Sequence, residues 1–546
     1  MKYSQAQSEK AEGLVRQFDF LAGNRLNWES HWQEIAERVY PAHSKLFTSL
    51  GNKTQGEKRT EFIFDSTAPL ALARFGSIMD SLLTPANQTW CKLRPSNRDL
   101  MKIREVVEWF ELATEILFRQ RYTPSANFSS QNQQTYLSLG AYGTGCLYVD
   151  ELKAKGGGLR YRNVHLGEIY FKENHQGIVD AAFRKFPMTA RQAIQKWGDA
   201  CPDQIKNAIQ SNPEREFDFL HVVEPREDVD PGRSDYKGMP YASYYIALEG
   251  KCLVAEGGYS SFPYAIPRYE QAPGETYGRS PGMAVLPAIK TLNEQKKTVL
   301  KQGHRVVDPV LLMADDGILD GFSLTPGAMN FGGVNSAGQA LVHALPVGNI
   351  AIGKDMMDEE RKIINDAFLV NIFQILTETP AMTATEVLER TREKGILLAP
   401  TVGRQQTEYL GPMIEREMDL LASQGLLPPM PQVLVEAKGE YRIEYDSPLS
   451  RAKRAEEASG IMRTVEYALN IVNVTQDHSP LDNFNWDVIV PEMADIQGVP
   501  ARWMNSPAQI QRLRAGRAQN QQNQQVIQAA PAAAAMIKAN AMAQKV

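Results

Sequence analysis

Residues 276–305, TYGRSPGMAVLPAIKTLNEQKKTVLKQGHR, predict one long helix with little apolar surface. Its apolar residues recur at steps of four, three and seven, the spacing of a coiled-coil seam: Val285, Ile289, Leu292 and Val299. The other faces are polar and set five cations against Glu294: Lys290, Lys296, Lys297, Lys301 and Arg305. At about 1.5 Å per residue the helix spans roughly 35 Å. So narrow a seam cannot bury the helix within its own subunit, and we predict assembly with repeated copies of the chain.

The totals indicate a folded protein rather than a disordered or membrane-spanning one. The 546 residues suffice for roughly three or four domains, and 43% are apolar and 23% charged. No run of eighteen apolar residues occurs, and the polar start MKYSQAQSEK predicts no secretion signal. The cysteines are too widely spaced for a zinc knuckle or a disulfide framework, so we predict buried thiols: Cys91, Cys146, Cys201 and Cys252.

Charge is unevenly distributed along the chain. Residues 507–546 contain no Asp or Glu and carry +5, whereas the whole chain carries −5, which leaves −10 on residues 1–506. The cations of this Gln- and Ala-rich tail are Arg512, Arg514, Arg517, Lys538 and Lys545. An acidic body does not favour tight binding of nucleic acid over the whole surface. We predict either contact between the tail and DNA or a merely soluble, weakly ordered end.

Periodicity and caps predict an α+β fold. Short runs rich in β-branched and aromatic residues occur within 143–267 and 306–352 and at 441–448. A short helix capped by Thr189 interrupts the first of these regions, and Ser280 with Pro281 begins the long helix, with a kink at Pro287. The main helices are predicted at 9–40, from Asp65 or Ser66 to Thr84, at 101–120, 281–305 and 355–376, from Thr383 to Leu421, and at 450–472.

Three local patterns approach a chemical site without completing one. Gly51–Gly56 begins like a phosphate loop, but Glu57 stands where the lysine is needed. Gly278–Gly282 matches the GxSxG of hydrolases, but Pro281 has no N–H for an oxyanion hole, so Ser280 is better explained as a helix cap. The acids of 355–360 are explained by a solvated helix start. We therefore predict no enzyme, metal or cofactor, and keep a serine hydrolase using Ser280 as the alternative.

Six motifs in a fixed order make the chain resemble the portal, or head-to-tail connector, proteins of short-tailed double-stranded-DNA bacteriophages. The resemblance covers roughly residues 10–480. The motifs are WESHWQEIAERVYP at 28–41, FDSTAPLALARFGSIMDSLLTPANQTW at 64–90, GAYGTGCLYV at 140–149, YGRSPGMAVLPAIKTLN at 277–293, PAMTATEVLER at 380–390 and YDSPLSRAKRAEE at 445–457.

The resemblance implies a portal-type α+β fold assembled as a ring, a dodecamer at one capsid vertex. The implied parts are an α+β wing at 1–280, stem helices at 281–305 and 353–376, a clip with short strands at 306–352, a tunnel loop at 377–383, a long kinked helix returning to the wing at 384–450, and a helical crown at 451–546. A DNA-facing tunnel loop would comprise Thr377, Glu378, Thr379, Pro380, Ala381, Met382 and Thr383.

The resemblance also implies a function without catalysis. The ring would conduct double-stranded DNA during packaging and ejection and nucleate capsid assembly. Its partners would be the terminase large subunit, tail or adaptor proteins, and the major capsid and scaffolding proteins, with no membrane. It would be made in the host cytoplasm and reside in the virion. A tail-tube adaptor is a further alternative, but adaptors are much shorter. Stem contacts between copies are predicted for Lys290, Lys296, Lys297, Lys301, Asp355, Asp358 and Glu359.

Overall fold

The architecture is a mixture of helices and antiparallel sheets. The computed structural model describes residues 5–44, 47, 56–153, 156–313, 323–346, 350–371, 399–437, 439–446, 448–477, 479–496, 499, 503–505 and 509–520. The labelled helices are α1 Gln5–Asn24, α2 Leu26–Arg38, α3 Thr67–Leu83, α4 Arg104–Arg121, α5 Phe128–Tyr142, α6 Ala190–Trp197, α7 Asp203–Ser211, α8 Pro281–Ala284, α9 Leu286–Val307, α10 Ile350–Ala367, α11 Gly411–Ser423, α12 Gln432–Glu436, α13 Pro448–Thr475 and α14 Trp486–Ile496.

The strands are short apart from those of the central sheet. They are β1 Cys91–Pro95, β2 Leu147–Glu151, β3 Leu159–Asn163, β4 Ile169–Glu173, β5 Val179–Thr189, β6 Glu216–Pro225, β7 Tyr241–Ala247, β8 Cys252–Tyr259, β9 Tyr264–Ala265, β10 Leu311–Met313, β11 Val342–Ala344 and β12 Tyr441–Tyr445. The chain divides into two compact units. The first comprises Met1–Gln88 and Leu117–Leu426, and the second comprises Thr89–Ile116 and Leu427–Val546.

A five-stranded antiparallel sheet, ordered β4-β5-β6-β7-β8, forms the core of the first unit. Side chains alternate between its faces, as strand geometry requires. On β6, Leu220 and Val222 face helix α1, whereas Phe217 and Phe219 pack with α6 and α7. Both faces are therefore covered, which accounts for the nearly continuous burial along β6.

A second, three-stranded sheet ordered β3-β2-β9 lies in the same unit, beside helix α5, which packs in turn against α3. Glycines let these two helices approach closely. A Cβ on Gly140 would come within 2.6 Å of the Phe75 ring, and one on Gly76 would come within 2.8 Å of Leu137. The glycines therefore serve packing, since protein interiors leave no room for an added methyl group.

The chain directly after α5 contacts the turn before α8 where two glycines meet. Gly143 has a φ of +75°, and an added Cβ would lie 2.3 Å from the carbonyl oxygen of Gly278. Next to it, the Thr144 hydroxyl accepts a hydrogen bond from the Gly278 N–H at 2.8 Å. The GAYGTG and YGRSPG motifs therefore meet backbone to backbone. This contact holds the chain in place directly before α8.

The second unit contains a strand pair and helices from distant parts of the sequence. β1 and β12 pair antiparallel, with Leu93 opposite Ile443. The Leu93 N–H donates to the Thr114 hydroxyl at 3.2 Å, and the Trp109 indole donates to the Pro428 carbonyl at 3.1 Å. Residues 89–116 thus belong with the C-terminal part of the chain by contact, a grouping that the sequence did not indicate.

Several predicted elements are confirmed with different bounds. The helix predicted at 9–40 is interrupted at Arg25, whose guanidinium turns into the core, stacks 3.4 Å from the Tyr170 ring centre and donates to the Leu166 carbonyl. The helix cap predicted at Thr189 is confirmed, and Gln192 completes it as a capping box. Helices α5 and α7 were not predicted. The helix predicted from Thr383 lies partly outside the described residues; its later part, 399–423, is helical with a π-helical segment at Gln406–Leu410.

The cysteines lie mostly in the interior. Cys91, Cys146 and Cys201 are buried, as predicted, whereas Cys252 is half-buried. Within the described ranges, every helix is too short or too polar to cross a membrane.

The glycine contact gives a testable prediction. Gly143→Ala and Gly177→Ala both place alanine at a φ near +76°, which alone costs about 1–2 kcal/mol. Gly177 has no atom within 4 Å of its added Cβ, whereas Gly143 meets backbone atoms. We expect G143A to lower the free energy of unfolding by about 1–3 kcal/mol more than G177A does. Urea unfolding followed by tryptophan fluorescence checks this; equal losses would show that the Gly278 contact is unimportant.

Candidate functional site at the stem

The predicted stem comprises α8, α9 and α10, which are called the stem below. It begins after Ser280, whose side chain is fully engaged as a helix cap. Its hydroxyl oxygen accepts from the Met283 N–H at 2.9 Å, and its hydroxyl hydrogen is donated to the Ala141 carbonyl at 2.8 Å. Pro281 occupies the first turn, as predicted. The helix then breaks at Val285, just before Pro287, so the predicted kink is confirmed. A serine that is 4% exposed and donates to a carbonyl is not an activated nucleophile, which argues against the hydrolase alternative.

Helix α9 has two halves in different surroundings. Its covered half, residues 286–293, buries Leu286, Ile289, Leu292 and Asn293 within the chain. Its uncovered half, residues 294–307, contains no buried residue. The prediction that this helix cannot bury itself in its own subunit is therefore wrong for the first half, because α10 and the loop before α3 pack there. It holds for the second half within the described chain, where Leu300 and Val307 are 46% and 87% exposed.

Helix α10 lies against α9. A Cβ on Gly353 would come within 2.8 Å of the Val299 side chain, so the two helices touch closely at this level. Met357 and Ile364 are buried, whereas Met356 and Ile363 are about half exposed. The helix is already formed at Ile350, five residues before the predicted start. The acids predicted to fill its first turn are therefore further inside the helix, where the dipole stabilises them less.

Asn293 joins α9 to the loop before α3. Its amide oxygen accepts hydrogen bonds from the backbone N–H groups of Phe64 at 2.8 Å and Asp65 at 3.1 Å. Its amide nitrogen donates to the Ile289 carbonyl at 2.9 Å. Because Asn293 is only 7% exposed, these bonds satisfy the polar atoms of a side chain that has little access to water. A polar residue directly after Leu292 in the apolar seam was the available sequence signal, and our sequence reasoning missed it.

Asp65 connects this junction to the second stem helix. Arg361 on α10 donates to the Asp65 carboxylate from Nη2 at 2.6 Å and from Nε at 3.2 Å. Burial alone would raise the pKa of this carboxyl group, but hydrogen bonds from Thr67 and Arg361 outweigh it and hold the pKa below its usual range. The carboxylate therefore stays ionised at neutral pH, and the loop before α3 contacts both α9 and α10 through adjacent polar groups.

The helix that follows residues 372–398 is anchored by two buried ion pairs. Arg268, 3% exposed, donates to Glu408 at 2.8 Å and also bonds Glu173. Further along, Arg121 and Glu417 are both fully buried and bond at 3.0 Å. The two glutamates are about two and a half turns apart, so the helix is held on opposite sides. Breaking one partner of such a pair would leave a buried charge, which is strongly destabilising.

The charged residues predicted for contacts between copies fall into two groups. Some have partners within the chain: Lys290 with Glu34, Lys297 with Glu294 at 3.6 Å, and Asp358 with Arg361 at 2.7 Å. Others form no ion pair within the described ranges: Lys296, Lys301, Asp355 and Glu359. The stem thus carries cations on α9 and acids on α10 that a neighbouring molecule could reach.

The segment between α9 and α10 has no core in the part that the structure describes. In 306–313 and 323–346 no residue is buried, and β10 and β11 form a ladder only three residues long. Large apolar side chains are exposed there, including Leu324, Met329, Phe331 and Val334 at 62–83%. Such a cluster of uncovered apolar residues is typical of a surface that another molecule covers.

The predicted DNA-facing residues are only partly described. The tunnel loop at 377–383, Lys538 and Lys545 lie outside the described residues. Arg512, Arg514 and Arg517 lie on an exposed helix at 509–520, where Arg514 donates to the Asp487 carboxylate at 2.8 Å. Among described residues, His, Cys, Asp and Glu do not cluster into a group that could hold a metal ion.

These features match a known class of protein. A family model described as bacteriophage head to tail connecting protein matches residues 11–504, so the chain belongs to that family. The family is structural rather than enzymatic. The chain is 28% identical over 550 residues to the portal protein of Salmonella phage epsilon15, covering 99% of this chain and 95% of that one. It is 27% identical over 526 residues to the probable portal protein of Bordetella phage BPP-1, covering 94% and 92%.

The junction at Asn293 gives a second prediction. In Asn293→Leu, the N–H groups of Phe64 and Asp65 lose their acceptor, which we expect to cost about 2 kcal/mol of unfolding free energy. Hydrogen–deuterium exchange provides a local readout, because peptides containing these two amides should exchange faster. The Gly278 amide, bonded to Thr144, is the internal control and should be unchanged. Unaltered exchange at 64 and 65 would mean that Asn293 does not hold the junction.

Proposed function

We propose that the chain is a portal protein: a closed ring, a dodecamer, at one vertex of a phage capsid. The ring conducts double-stranded DNA during packaging and ejection, docks the terminase large subunit and then tail or adaptor proteins, and nucleates assembly with major capsid and scaffolding proteins. Family membership over residues 11–504 and two relatives named as portal proteins along nearly their full lengths support this role. The wing, stem, clip, tunnel-loop and crown boundaries predicted above are part of the proposal.

The observation that carries the proposal is the uncovered half of α9, together with a clip in which no described residue is buried. A single chain exposes Leu300 and Val307 on α9 and Met356 and Ile363 on α10. Burying each aliphatic side chain contributes about 1.5–3 kcal/mol. A ring with head-to-tail interfaces lets every copy cover the next and leaves no unpaired end.

Charge would determine how neighbouring copies are aligned at their contact, rather than how strongly they bind. Exposed ion pairs contribute about 0–1 kcal/mol each, less than the apolar side chains beside them. Lys296 and Lys301 on one copy and Asp355 and Glu359 on the next give opposite charges across the interface. Complementary charges of this kind favour one arrangement and exclude others.

The distribution of charge also suits a channel that must release DNA. Each phosphate neutralised by Lys or Arg adds affinity through counterion release, and a ring multiplies that gain by its copies. The body at 1–506 carries −10, which keeps a negative polymer mobile. The basic tail is assigned to packaged DNA inside the head, and the loop at 377–383 to the channel.

Charge reversal on α9 tests the ring. We expect Lys296→Glu with Lys297→Glu to convert rings into smaller species at micromolar concentration, measured by native mass spectrometry, because like charges then face each other. The control, Arg119→Glu with Lys153→Glu, makes the same charge change on exposed wing residues and should leave rings intact. Adding Asp355→Lys and Glu359→Lys to the stem variant should restore them. Rings that persist in K296E/K297E would contradict the proposed interface.

Deleting residues 507–546 tests the role assigned to the tail. If Arg512 and Arg517 contact packaged DNA, particles carrying the deletion should contain a genome of altered length, measured by gel electrophoresis of extracted DNA. Substituting Gln for the five cations of the tail separates charge from bulk and should reproduce the effect. Wild-type genome length in both variants would mean that the tail is only a soluble end.

A further inference from the structure

A groove lies where the uncovered half of α9 meets the β10–β11 ladder. It encloses about 410 Å³. One wall is a single face of α9, since Thr298, Lys301 and Arg305 recur at helical spacing. The opposite wall is formed by Val310, Leu345 and Pro346, and the hydrogen bond from the Leu345 N–H to the Val310 carbonyl at 2.9 Å holds it in place.

The two walls have different chemistry. Lys301 and Arg305 are exposed and, within the part of the chain that the structure describes, form no ion pair. An alternative explanation of these cations is that positive charge in the last turns of a helix interacts favourably with the helix dipole. The dipole does not explain why an apolar wall lies opposite them. Val310 and Leu345 on that wall are 54% and 44% exposed. The groove therefore offers charge-assisted hydrogen bonds on one side and apolar contact on the other.

This combination selects among possible occupants. Duplex DNA would bring phosphates to Lys301 and Arg305 but would leave Val310 and Leu345 against a charged backbone. A protein segment with a carboxylate beside an aliphatic side chain matches both walls, and a carboxylate pairs well with a guanidinium. Tight phosphate binding would also hinder movement of DNA past the protein.

We infer that this groove is a docking site for an acidic, aliphatic segment of a partner protein, with its carboxylate at Lys301 and Arg305 and its aliphatic side chain on Val310 and Leu345. The inference rests on the proposed clip as a surface that partners bind, and it names the chemistry by which one of them is recognised. Lys301 is shared with the surface proposed to face a neighbouring copy, whereas Arg305 is not. Arg305 is therefore the residue to change.

Fluorescence anisotropy with the full-length protein tests the inference. The probe is a fluorescein-labelled peptide of alternating Glu and Leu at low salt, and the comparison peptide has Gln in place of Glu. We expect Arg305→Gln and Leu345→Asn each to weaken binding of the Glu–Leu peptide about tenfold. The control Lys354→Gln, an exposed cation outside the groove, should change it less than about twofold. The Gln–Leu peptide should bind wild-type protein about tenfold more weakly.

Three outcomes would overturn the inference. The first is unchanged peptide binding in R305Q. The second is an equal loss of affinity for a labelled DNA duplex, which would make the groove a phosphate site. The third is dissociation of rings in R305Q when the wild type binds no peptide, which would place a second copy in the groove. Because a single chain forms the whole groove, the two proposals can fail separately. A monomer that binds the peptide would refute the ring and support the docking site. Rings that do not bind the peptide would support the ring and refute the docking site.

Discussion

The stem depends on the hydrogen bonds that Asn293 makes to the backbone of the loop before α3. They lie at the boundary between the covered and uncovered halves of α9. On one side of Asn293, the helix is part of the chain's own core. On the other side it has α10 beside it and few other neighbours. Arg361 and Asp65 extend the same junction to α10, so both stem helices are fixed at one level and project from it.

This arrangement explains how one chain can be folded and incomplete. The covered half, the sheet of the first unit and the buried ion pairs of Arg268 and Arg121 form within a single molecule. In the uncovered half, and in residues 306–313 and 323–346, no residue is buried, so one chain leaves the apolar side chains there without cover. We propose that a ring of copies supplies this cover for the uncovered half of α9. Stem helices that are firmly attached to the folded core, and that leave apolar surface uncovered, suit a component that must be built into a larger particle.

Features governed by neighbouring residues could be predicted from the sequence. The Ser280 and Thr189 caps, the break before Pro287 and the strand at 441–445 follow from local chemistry. Helix α5 could not be predicted, because it is buried on nearly every side and its sequence has no amphipathic period. The start of α10 was placed too late because acids were taken to mark a first turn.

The candidate site was predictable only in its charges. The cations of α9 and the acids of α10 were identified from the sequence, and part of each set lies uncovered. The residues of the junction were not predicted, since Asp65 meets Asn293 and Arg361 across more than two hundred residues of chain. Glu408 and Glu417 are similar, because nothing local distinguishes a glutamate that pairs in the core from one on the surface. Long-range pairing is a property of the fold, which local patterns do not encode.

Negative-stain electron microscopy of the purified wild-type protein, with the particle mass measured on the same sample, tests the central claim most directly. The account predicts annular particles in which identical subunits surround an opening wide enough for duplex DNA. Compact particles with the mass of one chain, at every concentration and also among proteins released from assembled virions, would contradict it.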